Sequence, residues 1–88
     1  MRFMVSIHVV VPPERAEEAR ALLPAEGARV AEHMRQGFIE ALYLDAPLPH
    51  EQLWAVMRAE SLEDVQRLID GYPMRTFFQP TYTQFSEQ

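Results

Sequence analysis

One carboxylate, Glu26, interrupts a segment that otherwise has the apolar spacing of a helix. The segment is LLPAEGARVAEHM, residues 22–34, in which Leu23, Val30 and Met34 fall on one helical face that Glu26 flanks. Apolar surroundings raise the pKa of a carboxyl group, and a carboxylate tuned in this way suits removal of a proton from carbon near a carbonyl group. Glu26 is therefore our candidate catalytic base.

The two neighbours of this carboxylate allow two interpretations. Gly27 has no side chain, so it could leave a void for a small ligand between the helix and the rest of the fold. Alternatively, Pro24 begins a second short helix, and Glu26 only stabilises the positive end of that helix. Both interpretations remain open at this point.

Two histidines could belong to the site: His8 could transfer a proton, because imidazole titrates near neutral pH, and His33 could bind the substrate. His8 lies in the middle of an apolar, strand-like segment, where the alternative is a histidine hydrogen-bonded in an interface. His33 follows Glu26 by two helical turns and could border the same pocket, or it could be solvated. The histidines fall on separate segments without HxH or HExxH spacing, so we predict no metal site.

Four further side chains could contact a flat, ring-shaped substrate: Tyr43, Trp54, Arg58 and Phe78. Aromatic residues in strands more often fill a core or a dimer interface. Arg58 could face a substrate oxyanion, or it could form an ion pair with Glu40 on the neighbouring strand.

These residues are positioned by a predicted β-α-β-β-α-β order of elements. Alternation and apolar periodicity predict strands at 2–11, 38–45, 52–59 and 75–85, and helices at 14–36 and after Ser61. Gly37 is a plausible helix end, residues 46–51 a turn, and Pro80 indicates an edge strand or a bulge. The order is that of a ferredoxin-like α+β fold, one antiparallel sheet with two helices on one face.

Several strands are apolar on both faces, although two helices can cover only one face of the sheet. Met4 and Val10 lie opposite the main apolar row of the first strand, and Trp54 and Val56 lie opposite that of the third. We therefore expect a homodimer through the sheet faces, a dimeric α+β barrel that could form a larger homo-oligomer.

Length and composition limit the classes of protein to which the chain can belong. The 88 residues predict a single domain, residues 1–88, and the absence of cysteine removes disulfides and thiolate metal sites. The net charge is −5 with no basic cluster, which argues against nucleic-acid binding. The N-terminal segment lacks a cleavage site and is too short to span a membrane, so we expect a cytoplasmic protein.

Taken together, the segments resemble the muconolactone δ-isomerases over nearly the whole chain. The resemblance is carried by MRFMVSIHVVVPP, by AEGARVAEHMRQGFIEALYL and by ESLEDVQRLIDGYPMRTFFQPTYTQF, in this order and spacing. It implies a cofactor-free, metal-free enzyme that moves a proton across an unsaturated lactone and so shifts a C=C bond. Glu26 matches the glutamate that sits at this site in the family.

The chain departs from the family at positions that would meet a charged substrate. Gly27 replaces a lysine, and Glu40 and Leu44 stand in the strand where the family carries arginines. We therefore expect an isomerase of a less charged lactone or a related enolisable ring compound. The alternatives are a polyketide cyclase or cofactor-free oxygenase of the same barrel type, or a non-catalytic dimeric ligand-binding module.

Overall fold

The computed structural model describes residues 1–45 and 51–86. Its main elements follow the predicted order: β1 (Arg2–Val9), α1 (Ala16–Arg35), β2 (Ile39–Leu44), β3 (Gln52–Arg58), α2 (Leu62–Asp70) and β4 (Phe78–Gln84). Single turns of 3₁₀ helix, Pro13–Arg15 and Arg75–Phe77, precede α1 and β4. The ferredoxin-like α+β fold is thus confirmed, with the last strand starting three residues later than expected. The predicted turn at 46–51 lies mostly outside the described residues.

The four strands form one antiparallel sheet in the order β2-β3-β1-β4. Central β1 places Val5 between Ala55 of β3 and Tyr82 of β4. β4 lies at the edge, which explains why Pro80 is tolerated there, since a proline cannot donate a ladder hydrogen bond. Of the two possibilities that Pro80 indicated, an edge strand or a bulge, the structure shows the edge strand.

Local sequence sets the helix ends. Ser61 caps α2 through its hydroxyl oxygen, which accepts a hydrogen bond from the backbone N–H of Asp64 at 3.2 Å. Gly37 follows α1 with φ of 82°, a left-handed conformation that a side chain would strain. Both ends agree with the sequence prediction.

α1 is one continuous helix, so the interpretation of two short helices divided at Pro24 is wrong. Pro24 lies inside the helix, where it removes one backbone hydrogen bond to the carbonyl group of Arg20. Both residues are exposed, and water can therefore satisfy that carbonyl group. The helix continues because the missing hydrogen bond lies on its solvent-exposed face.

The buried face of α1 is also rotated from the predicted one. Leu23 and Met34 are 55% and 45% exposed, so they do not belong to the core. The inward positions are instead Ala19, Leu22, Glu26, Val30 and His33, at helical spacing. Glu26 and His33 consequently lie within the inward-facing row rather than beside it.

Both helices contribute to one core on one face of the sheet. Its fully buried side chains come from the central strands and from α2: Phe3, Val5, Met57, Val65 and Ile69. The other face carries no helix, and we call it the open face; on it lie Met4, Ser6 and His8 of β1.

No helix in the described part of the chain is long and apolar enough to cross a membrane. The cytoplasmic location remains a prediction.

Candidate active site

A cavity of about 260 Å³ lies between α1, the end of α2 and the covered face of the sheet. Glu26 and Tyr72 are the two lining residues with polar groups in their side chains, and Glu26 is the charged one. Most of the remaining wall is aliphatic or aromatic and includes Ile7, Val30, Leu42, Leu53, Met57 and Phe78. An apolar hollow with few polar groups is typical of a binding site for a small organic molecule.

The carboxylate of Glu26 is half-buried and fixed in position at this cavity. Its Oε1 accepts a hydrogen bond of 2.8 Å from the backbone N–H of Met74, which lies in the segment before β4. Burial raises the pKa of Glu26, and this effect outweighs the Met74 hydrogen bond and the charge of Arg29, which both act to lower it. Glu26 is therefore a stronger base than a solvated glutamate.

His33 and Tyr72 form a buried pair next to Glu26. The Nδ1 atom of His33 lies 2.7 Å from the hydroxyl oxygen of Tyr72, and the two rings meet edge to face. His33 is only 5% exposed, so the alternative of a solvated histidine is wrong. Burial lowers the pKa of His33, whereas burial and the nearby charge of Glu26 raise the pKa of Tyr72.

Gly27 lines the cavity next to Glu26, as the hypothesis of a void required. A Cβ atom placed on it would meet no other heavy atom within 4 Å. A small side chain would therefore fit at this position, and no close contact requires a glycine there.

The other predicted site residues are divided between the two faces of the sheet. Phe78 and Glu26 both line the cavity. His33 is linked to the cavity through its hydrogen bond with Tyr72, which is also a lining residue. His8 is exposed on the open face, where the strand register also places Tyr43, Trp54 and Arg58. Since successive strand residues alternate between faces, these four side chains point away from the cavity.

The ion-pair alternative for Arg58 agrees with the structure. Its Nε lies 3.2 Å from Oε1 of Glu40, and Nη2 of Arg2 lies 2.9 Å from the other oxygen of the same carboxylate. Glu40 thus belongs to a cluster on the open face and adds no negative charge to the cavity. Leu44, in contrast, does line the cavity.

Tyr72 was missed by sequence reasoning. It follows Gly71 at the end of α2, in a turn far along the chain from Glu26, and no spacing rule connects the two. The available signal was an aromatic residue carrying a hydroxyl group at the junction of a helix and an edge strand.

A second hollow, of about 380 Å³, lies at the surface beside α2 and is lined by Phe38, Ala59, Asp64 and Arg67, among others. The guanidinium group of Arg67 in this hollow already donates a hydrogen bond of 2.9 Å to the carboxylate of Asp64. Across residues 1–45 and 51–86, no group of three or more His, Asp or Glu side chains could hold a metal ion.

The fold and this cavity define a small ferredoxin-like α+β protein with an apolar cavity that one carboxylate lines. The profile of the muconolactone delta-isomerase family matches residues 1–87, so the chain belongs to this family. The resemblance seen in the sequence is thereby confirmed.

Two solved structures share the fold at low sequence identity. A muconolactone isomerase has a TM-score of 0.77 and 20% identity, with 100% of this chain and 91% of that chain covered. The 5-chloro-2-hydroxyhydroquinone dehydrochlorinase TftG of Burkholderia phenoliruptrix AC1100, solved with 2,5-dihydroxybenzoquinone, has a TM-score of 0.73 and 15% identity over 100% and 96% of the two chains. A comparison with curated proteins returned no match.

Proposed function

We propose that the protein is a cofactor-independent isomerase of a small, uncharged, unsaturated lactone or related enolisable ring compound, with Glu26 as the base. The observation that carries the proposal is a half-buried carboxylate of raised pKa in the lining of an apolar cavity of about 260 Å³. Membership of the muconolactone delta-isomerase family supports the reaction type.

The proposed reaction needs only one group that changes its protonation state. The carboxylate of Glu26 removes the γ-proton of a butenolide, and the electron pair moves into the ring to give a dienolate. The carboxylic acid then returns the proton to the α-carbon, which shifts the C=C bond and restores the carboxylate. Atoms and charge balance without a cofactor.

The lining of the cavity favours a substrate without a carboxylate. Glu26 is negative, and the position that follows it, Gly27, supplies no cation. Arg29 is close enough to lower the pKa of Glu26, but it is exposed and lies one helical turn further along α1. A carboxylated ring would therefore meet a negative charge inside an apolar hollow, which is costly.

Deuterium exchange tests the proposal. The protein is incubated in deuterated water with a 5-alkyl butenolide or with its carboxymethyl counterpart, and ring deuteration and C=C position are followed by NMR. We expect exchange and isomerisation of the neutral ring at a rate well above that of the carboxylated ring. No exchange above the buffer rate with either compound would rule out the isomerase.

We also propose a homodimer in which two open faces cover each other. Trp54 and Tyr43 are 36% and 59% exposed at adjacent positions of this face, and Met4 and Val56 pair beside them. Large apolar groups on an uncovered sheet are a typical interface between identical subunits. His8 and Arg58 would lie within or around this interface, and their predicted roles at the substrate remain predictions.

Light scattering tests the dimer, with an expected mass twice the 10.2 kDa of one chain. Trp54→Glu should shift the protein towards monomer, because it buries a charge at the interface. Leu23→Glu is the matched control, since Leu23 is exposed on the outer side of α1. A monomeric wild type at all concentrations would refute the dimer.

A further inference from the structure

The buried pair of His33 and Tyr72 has no part in the base chemistry described above. Tyr72 lines the cavity with Glu26, and its oxygen lies 2.7 Å from Nδ1 of His33. His33 lies in the inward-facing row of α1, where an apolar side chain would pack without needing a hydrogen-bond partner. The pair therefore calls for a functional explanation.

The number of available protons restricts what this pair can do. A phenol has one O–H, and a neutral imidazole has one N–H that sits on either Nδ1 or Nε2. When His33 carries its proton on Nδ1 and donates to the Tyr72 oxygen, the phenol proton is free to point into the cavity. In the other tautomer Nδ1 of His33 accepts the hydrogen bond, so the Tyr72 O–H donates to His33 and cannot point into the cavity.

We propose that the hydroxyl group of Tyr72 donates a hydrogen bond to the carbonyl oxygen of the substrate ring, and that the Nδ1–H of His33 positions this hydroxyl by donating to its oxygen. This inference rests on the proposed isomerase activity and adds the group that stabilises the dienolate. Negative charge develops on that oxygen as Glu26 removes the carbon-bound proton. A donor fixed in an apolar site is effective at this point, because it needs no reorganisation during the reaction.

The protonation states of the pair agree with this role. The pKa of Tyr72 is raised by burial and then by the charge of Glu26, so the phenol keeps its proton at neutral pH. The pKa of His33 is lowered by burial and by Arg29, against an opposing effect of Glu32, so the imidazole is neutral. Tyr72 thus offers a hydrogen bond without itself ionising.

The lining also explains why such a donor is needed. The described wall of the cavity is otherwise apolar apart from Glu26, which can only accept hydrogen bonds while it is ionised. A carbonyl oxygen that leaves water for this cavity would lose its hydrogen bonds unless Tyr72 replaced one of them. The ligand chemistry that fits is a ring with an acidic C–H near Glu26 and a carbonyl oxygen near Tyr72.

The first test compares Tyr72→Phe with Tyr82→Phe. Tyr82 is a half-buried tyrosine on β4 outside the cavity, so its variant controls for the loss of a phenol. We expect Tyr72→Phe to lower kcat by about 10²- to 10³-fold, the usual effect of losing one oxyanion donor, with a much smaller change in KM. Unchanged kcat in Tyr72→Phe would overturn the inference.

The second test concerns the positioning role of His33. His33→Leu removes the donor to Tyr72, whereas His33→Asn keeps an amide near the position of Nδ1. We expect kcat to fall in His33→Leu and to recover in part in His33→Asn, with the pH dependence set by Glu26 unchanged in both. Equal kcat in the leucine variant and the wild type would refute the positioning role.

A binding experiment separates the inference from the proposed function. Tetronic acid is a five-membered lactone that carries an enolate at neutral pH and so resembles the dienolate. We expect Glu26→Gln to bind it, because the competing carboxylate is gone, and expect Glu26→Gln/Tyr72→Phe to bind it at least tenfold more weakly. Nitrogen-15 NMR of His33 in the complex should show the Nδ1–H tautomer.

The possible results are distinguishable. If the protein exchanges no lactone but binds tetronate more weakly after Tyr72→Phe, the isomerase proposal is refuted. The assignment of Tyr72 as the hydrogen-bond donor to the ligand oxygen is then retained. Equal tetronate binding with and without the Tyr72 hydroxyl would remove the donor, whatever the exchange assay gives.

Discussion

Glu26→Gln is expected to lower the rate of deuterium exchange into a neutral butenolide by about 10²- to 10⁴-fold, the usual contribution of a positioned general base. Glutamine keeps the size of the side chain, and its amide oxygen can still accept from the N–H of Met74. The variant loses the negative charge and, with it, the ability to take up a proton. NMR of the ring carbons in deuterated water measures the effect.

The wild-type rate should also depend on pH in a defined direction. In the proposed reaction the reacting form of Glu26 is the carboxylate, and burial raises its pKa above the ordinary value of 4.5. The rate should therefore rise with pH through this raised pKa and then level off. Glu17→Gln, an exposed change on the same helix, is the matched control and should leave rate and profile unchanged.

The stability of Glu26→Gln gives an independent check on burial of the charge. Because the folded-state pKa is raised, the folded wild type binds more protons than the unfolded chain between the two pKa values, and its stability falls as pH rises through this window. The variant has no such dependence. Its stability relative to wild type should rise over the same window; a constant difference would mean that Glu26 is solvated.

Phe3→Ala is expected to cost about 3–5 kcal/mol of stability, the typical loss for a phenylalanine in a well-packed core. Phe3 is 1% exposed near the start of β1, pairs with Met57 of β3 and belongs to the hydrophobic core. Small domains have total stabilities of about 5–15 kcal/mol, so this change would leave the protein close to unfolding. Urea denaturation followed by circular dichroism measures the loss.

Phe85→Ala provides the matched comparison for this prediction. Phe85 is 38% exposed, and the guanidinium carbon of Arg2 lies over its ring, 5.5 Å from the ring centroid. An exposed cation–π contact of this kind contributes about 0.5–1 kcal/mol. Similar losses in the two variants would contradict the assignment of Phe3 to the core.

Much of the fold could be predicted because its signals are local. Alternation in residues 2–9, the Ser61 cap, Gly37 after α1 and Pro80 in an edge strand each depend on a few neighbouring residues. The interpretation left open at Pro24 could not be decided locally, because the proline lies within α1 on an exposed side where water replaces the lost hydrogen bond.

The candidate site was less predictable, because its partners are distant in the sequence. Glu26 was found from its apolar neighbours, but the helix phase was fitted to Leu23 and Met34, which are exposed. The assumption that the most apolar residues face inward failed, since the inward row holds a carboxylate and an imidazole. Their presence there is explained by a cavity and by Tyr72, which no local pattern connects to α1.

The sequence by itself determined the order of strands and helices and the candidacy of Glu26, because these depend on spacing and on local backbone chemistry. Only the tertiary structure decided which candidates share a site. It brought Phe78 to the cavity of Glu26 and His33 to Tyr72 at its wall, and it placed His8, Tyr43, Trp54 and Arg58 on the open face. The physical reason is that strand alternation assigns side chains to two faces, and helix packing then chooses which face is covered.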